Sequence, residues 1–103
     1  MNNESLGARV ARRLRDARVR AGMTVREAAG ALAMSHTLIV KYENGVVAPS
    51  FDRLESLAAL YRASAAALVA ERDEAMPLFA LLDQASAEEI VQLIRLVNDT
   101  RDT

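Results

Sequence analysis

From Leu6 the apolar positions Val10, Leu14, Ala17 and Ala21 recur every three or four residues, with arginines on the other faces, until Gly22 interrupts the pattern. That period draws one apolar stripe along a helix, and the glycine ends it. Thr24, with Glu27 three residues on, has the spacing at which a hydroxyl and a carboxylate satisfy each other's backbone donors, so a second, short helix runs to about Ala33. Ser35 offers another N-cap hydroxyl, and Ile39 and Tyr42 carry an apolar spacing of three until Asn44-Gly45 stops a third helix. Pro49-Ser50 opens a fourth, striped by Leu54, Leu57, Ala58 and Tyr61. Ser64 caps a fifth bearing Leu68 and Val69, which gives way to the charged stretch 71–74, either a linker or a continued exposed helix. Beyond it, Pro77 suits the first position of a helix carrying Leu78, Phe79, Leu81 and Leu82. Ser86 and Glu89 repeat the capping spacing, and Ile90, Leu93, Ile94 and Val97 follow the i, i+3, i+4, i+7 rule; the polar tail from Asn98 is expected to fray.

Composition sharpens this all-α expectation. About a fifth of the chain is alanine, which favours helix without filling much volume, and two Phe, two Tyr and no Trp leave little to pattern a sheet. At 103 residues the chain fits one domain, or one domain with a small appendage. Absence of cysteine excludes disulfides, thiolate metal sites and a cysteine nucleophile, and a single histidine argues against zinc. No acid and base pair in a recognisable motif and no glycine-rich phosphate loop is present, so neither catalytic residues, nor a metal, nor a cofactor are expected, and the protein is not expected to be an enzyme. No apolar run approaches the roughly 18 residues of a membrane span, and the polar, acidic start 1–7 predicts no signal peptide, so the expected location is the cytoplasm, without a membrane partner. The net charge of −1 conceals an asymmetry: residues 1–45 carry eight basic and four acidic side chains, residues 46–103 five and ten. A basic front and an acidic back suit a polyanion at one end, and solubility or a partner at the other.

The stretch 23–45, MTVREAAGALAMSHTLIVKYENG, carries the most information. Two short helices share a tight turn: small Ala29 allows close approach, apolar Met34 plugs the turn, and Ile39 packs the second helix on the first, the geometry of a helix-turn-helix. With the punctuation Thr-x-x-Glu-x-Ala, then Ser, Ile, Glu-Asn-Gly and Pro-Ser, the segment from about Leu6 to Val69 resembles the lambda-repressor-like, or XRE-type (Cro/CI), DNA-binding domain of bacterial and phage regulators. The resemblance implies a five-helix bundle over residues 5–71, followed by a short C-terminal helical hairpin at 76–98. It implies a dimer with the helix Ser35 to Asn44 of each subunit in a major groove of double-stranded DNA. By motif position His36, Thr37 and Lys41 would meet base edges, which their donors, acceptors and the threonine methyl permit. Thr24 and Ser35 at helix N-termini, Asn44, and the first-helix arginines Arg12 and Arg13 are the expected backbone contacts, with Arg9 and Arg20 as further contributors. Arg18 and Glu43 match a pair that in relatives joins the first helix to the end of the recognition helix.

The chain departs from the pattern at several positions. Val25 stands where relatives often carry a glutamine that reaches a phosphate, and Val46-Val47-Ala48 replaces the basic residues usual after Asn-Gly. Leu38 and Val40 are apolar on a helix whose outer face is normally polar, so they either meet thymine methyls or bury against another subunit. The module Pro77 to Val97 has apolar residues on more than one face, and Leu78, Leu82, Ile90, Leu93, Ile94 and Val97 are the candidate interface. It either packs on the fifth helix or pairs with its copy in a homodimer. The resulting reading is a sequence-specific transcriptional regulator, a dimeric repressor. The alternative is an antitoxin-like or antagonist-controlled interaction module on the same scaffold, with a protein antagonist or toxin as partner.

Overall fold

A computed structural model describes residues 4–101. Helix α1 spans Leu6–Arg20, α2 Val25–Ala31, α3 His36–Glu43, α4 Phe51–Tyr61 and α5 Ala65–Val69; after a 3-10 turn at Asp73–Ala75, α6 spans Met76–Gln84 and α7 Ala87–Arg101. There is no strand among the described residues. None of their helices is long and apolar enough to cross a membrane.

The helix starts are written in hydroxyls. Ser5, Thr24, Ser35, Ser50 and Ser64 accept from the backbone N–H three residues on, at 3.0–3.1 Å, and each satisfies a donor that the first turn would otherwise leave open. At α2 and α7 the box is complete, with Glu27 accepting from Thr24 N–H and Glu89 from Ser86 N–H. These bonds hold both carboxyls below the usual carboxylate range, through the backbone donor first.

The ends follow one rule as well. Gly22, Ala33, Gly45 and Arg62 all adopt left-handed backbone, with φ between 53° and 72°. In each case the next residue's N–H closes back on the carbonyl five positions earlier: Met23 to Arg18, Met34 to Ala29, Val46 to Lys41 and Ala63 to Ala58, at 2.8–3.2 Å. Two of the four are glycine, which takes this conformation without steric cost; Ala33 and Arg62 take it with one.

One core joins the first five helices: Val10, Leu14 and Ala17 of α1, Ala28 and Ala29 of α2, Ile39 and Tyr42 of α3, Leu54, Leu57, Ala58 and Tyr61 of α4, and Leu68 of α5. α6 packs on α5, and the Ser64 hydroxyl bonds to the Asp83 carboxylate between them. Seven α-helices are described; the expected C-terminal hairpin is not seen as a packed pair, since α7 makes no extensive contact with α6 or another helix, Ala85 in extended backbone and Ser86 engaged as a cap starting it on a new axis. The expected fraying from Asn98 is also not observed: α7 continues to Arg101.

Candidate nucleic-acid interface

Positions in α3 alternate between two environments at helical spacing. Ile39 and Tyr42 point inward, 1% and 7% exposed, and Leu38 packs against the same core, so its side chain is spoken for by the monomer. His36, Thr37, Val40 and Lys41 lie on the exposed side. The turn that sets α3 on α2 is closed by the Met34 N–H to Ala29 carbonyl bond at 2.9 Å, with Met34 half-buried beneath it. Three exposed polar side chains are thereby presented on one rigid face, the arrangement that lets a helix enter a groove. Thr24 and Ser35 sit at the mouths of α2 and α3 with their hydroxyls already engaged as caps, and Asn44 is exposed at the end of α3.

Arg18 anchors the far end of α3. Its Nε and Nη2 donate to the two carboxylate oxygens of Glu43 at 2.7 and 2.9 Å, and Nη1 donates to the Met23 carbonyl at 2.9 Å. Both side chains are largely buried, and the bond to Glu43 holds the guanidinium all the more firmly protonated. One guanidinium therefore ties α1, the turn before α2, and the last turn of α3 together. Tyr61 lies close enough to feel both charges; burial, with Glu43 adding to it and Arg18 opposing, pushes its phenol up to about 12. Its hydroxyl has no hydrogen-bond partner among the described residues.

The first-helix arginines require a correction. Arg13 was an expected phosphate contact, yet its side chain is 1% exposed. Nε and Nη2 bind Asp73 at 3.2 and 2.8 Å, while Nη1 donates to the carbonyls of Ala67, Leu68 and Ala70 at 2.5–3.3 Å, capping the end of α5. No donor face remains for DNA. Arg12, the other expected contact, is held by Glu4 at 2.9–3.3 Å and by Asp73 at 3.0 Å, so its charge is answered within the chain. The same two guanidinium groups, Arg13 first, hold the Asp73 carboxyl below the usual range. Sequence reasoning could not foresee this, because the decisive acid lies 60 residues away from Arg13.

Arg15, Arg20, Arg26 and Lys41 are exposed and make no ion pair among the described residues. Arg15 was overlooked: it lines a shallow concavity with Ser5, Gly7, Asn44 and Gly45, between the start of α1 and the end of α3. The signal was present, since Arg15 directly follows Leu14, the most deeply buried residue of the α1 stripe, and so sits off that stripe.

A family model described as a helix-turn-helix domain matches residues 9–73. No curated protein and no solved structure matches the chain.

Proposed function

The chain belongs to the helix-turn-helix domain family, and from that premise we propose that it is a sequence-specific transcriptional regulator that acts as a dimeric repressor by occupying its operator. The observation that carries this reading is the division of α3, with Ile39 and Tyr42 in the core and His36, Thr37 and Lys41 together on the exposed face. In the major groove, Lys41 donates to guanine O6 or N7, His36 donates or accepts at a base edge, and the Thr37 methyl meets a thymine methyl. Thr24, Ser35 and Asn44 mark the backbone contacts at the helix ends, and Arg15, Arg20 and Arg26 take the phosphate role that the enclosed Arg13 does not fill, with the partly exposed Arg12 beside Arg15 as a further contributor. Residues 5–71 form the DNA-binding unit and 76–98 the dimerisation module, through Leu78, Leu82, Ile90, Leu93, Ile94 and Val97.

Selection of bound sequences from a random duplex pool, with purified protein at moderate salt, tests the reading. It predicts an inverted repeat with half-site centres about 10 bp apart or a multiple of that. Recovery without any motif contradicts it. A second reading, an interaction module directed at a protein antagonist or toxin, is favoured by the exposed apolar cluster beside α3: Val46 is 69%, Val47 41% and Phe51 88% exposed. A motif recovered by the protein alone rejects that reading as the sole function.

A further inference from the structure

Half of the exposed large apolar side chains lie on α6 and α7, and neither helix contains a buried residue. α7 is 15 residues long and packs along no other helix. Helices of about 12–15 residues are marginal in water without tertiary cover. Its stripe runs from Ile90 through Leu93, both half-buried, to Ile94 and Val97, 54% and 45% exposed, with exposed Val91 and Leu96 flanking it. Charge is distributed unevenly along it: Glu88 and Glu89 occupy the first turn, while the last holds Asp99 and Arg101, of which Arg101 continues the stripe four residues after Val97.

We infer that α7 is covered by α7 of a second copy of this chain, the two running antiparallel about a two-fold axis between Leu93 and Ile94. This rests on the dimeric reading above and specifies its interface. Three features select a copy of the chain in this orientation. The stripe is symmetric about that point, so an antiparallel mate centred there sets Ile90 opposite Val97 on both sides; displacing the centre uncovers one end of the stripe. Charge favours the antiparallel mate, because Arg101 of each copy then lies beside Glu89 at the edge of the other's first turn, while Glu88, Arg95 and Asp99 lie away from the stripe. A parallel pair would set Glu89 beside Glu89 and Arg101 on Arg101. Antiparallel alignment also opposes the two helix dipoles. The two-fold makes each contact occur twice, as a closed dimer requires.

The chain contains no cysteine, so single thiols report the geometry without background. Ile90→Cys and Val97→Cys are made separately and also co-expressed, and mild oxidation is followed by non-reducing electrophoresis; light scattering of the reduced proteins gives the oligomeric state. The expected result is a dimer in solution, little cross-linking of either variant with itself, and efficient cross-linking of the co-expressed pair. A monomer by light scattering overturns the dimeric reading and this inference together. A dimer in which each variant links to its own copy overturns the antiparallel arrangement alone. A dimer that cross-links in none of the combinations moves the interface off α7.

Discussion

Tyr61 and Ala33 each keep a local cost that a single substitution would relieve. Tyr61 buries a phenol beside Arg18 and Glu43 with no partner for its hydroxyl. An unfolded tyrosine ionises near pH 10, whereas this one ionises at about 12. The unfolded chain therefore loses its proton first: the Tyr61 contribution is intact below pH 10 and is lost as the pH rises toward and through 12. Tyr61→Phe is expected to flatten that alkaline fall and to raise stability by about 1 kcal/mol, since an unsatisfied buried hydroxyl costs about that much or more. Urea melts of both proteins at pH 8 and pH 11 check this, and an equal alkaline loss in the variant would count against it. Ala33 takes left-handed backbone in the turn between α2 and α3, where its Cβ costs roughly 1–2 kcal/mol. Ala33→Gly removes that cost but adds freedom to the unfolded chain, leaving a net gain of about 0.5–1 kcal/mol. A lower urea midpoint would show that the alanine methyl matters more than the backbone strain.

Among the elements, the starts of the second to fifth helices and the glycine stops of the first and third were legible because they are set by neighbours. A hydroxyl reads the N–H three residues on, and a glycine takes the left-handed backbone at the chain reversal, whereas Ala33 and Arg62 take it without such a signal. Thr24 with Glu27, Ser35, and Asn44-Gly45 all lie where that logic puts them. What joins distant elements was legible only in part. The Arg18 and Glu43 contact followed from the resemblance, whereas Arg13 looked like one more surface arginine until Asp73 and the α5 carbonyls closed around it. Two predictions separate anchoring from recognition. Glu43→Ala strands the largely buried Arg18 charge and lowers the melting temperature by more than the exposed Lys41→Ala does; equal shifts in thermal melts would contradict the anchoring role. Arg13→Met takes the Arg13 donors from the Ala67, Leu68 and Ala70 carbonyls and leaves Asp73 with Arg12 alone, an expected loss of about 3 kcal/mol by urea unfolding. A loss under about 0.5 kcal/mol, the level of an ordinary surface change, would show that the site does not depend on it.

Across the whole molecule, the basic front half is less cationic toward a ligand than its composition suggests. Arg12, Arg13 and Arg18 neutralise Glu4, Asp73 and Glu43, leaving Arg15, Arg20, Arg26 and Lys41 as the exposed cations of that half without an ion pair among the described residues. If the three arginines each neutralise one phosphate while Lys41 reads a base, the slope of log affinity against log salt is about −2.7 per subunit, at about 0.9 per contact. The measurement that bears most directly on the central claim is the affinity for a selected operator duplex, by fluorescence anisotropy at fixed salt, of the wild type and of Lys41→Ala and His36→Ala. Recognition through α3 predicts that at least one variant loses about tenfold or more, as expected for a lost base contact, while its melting temperature and its affinity for a scrambled duplex stay close to wild type. Operator affinity unchanged in both variants would contradict the account, and the exposed face of α3 would not be what reads DNA.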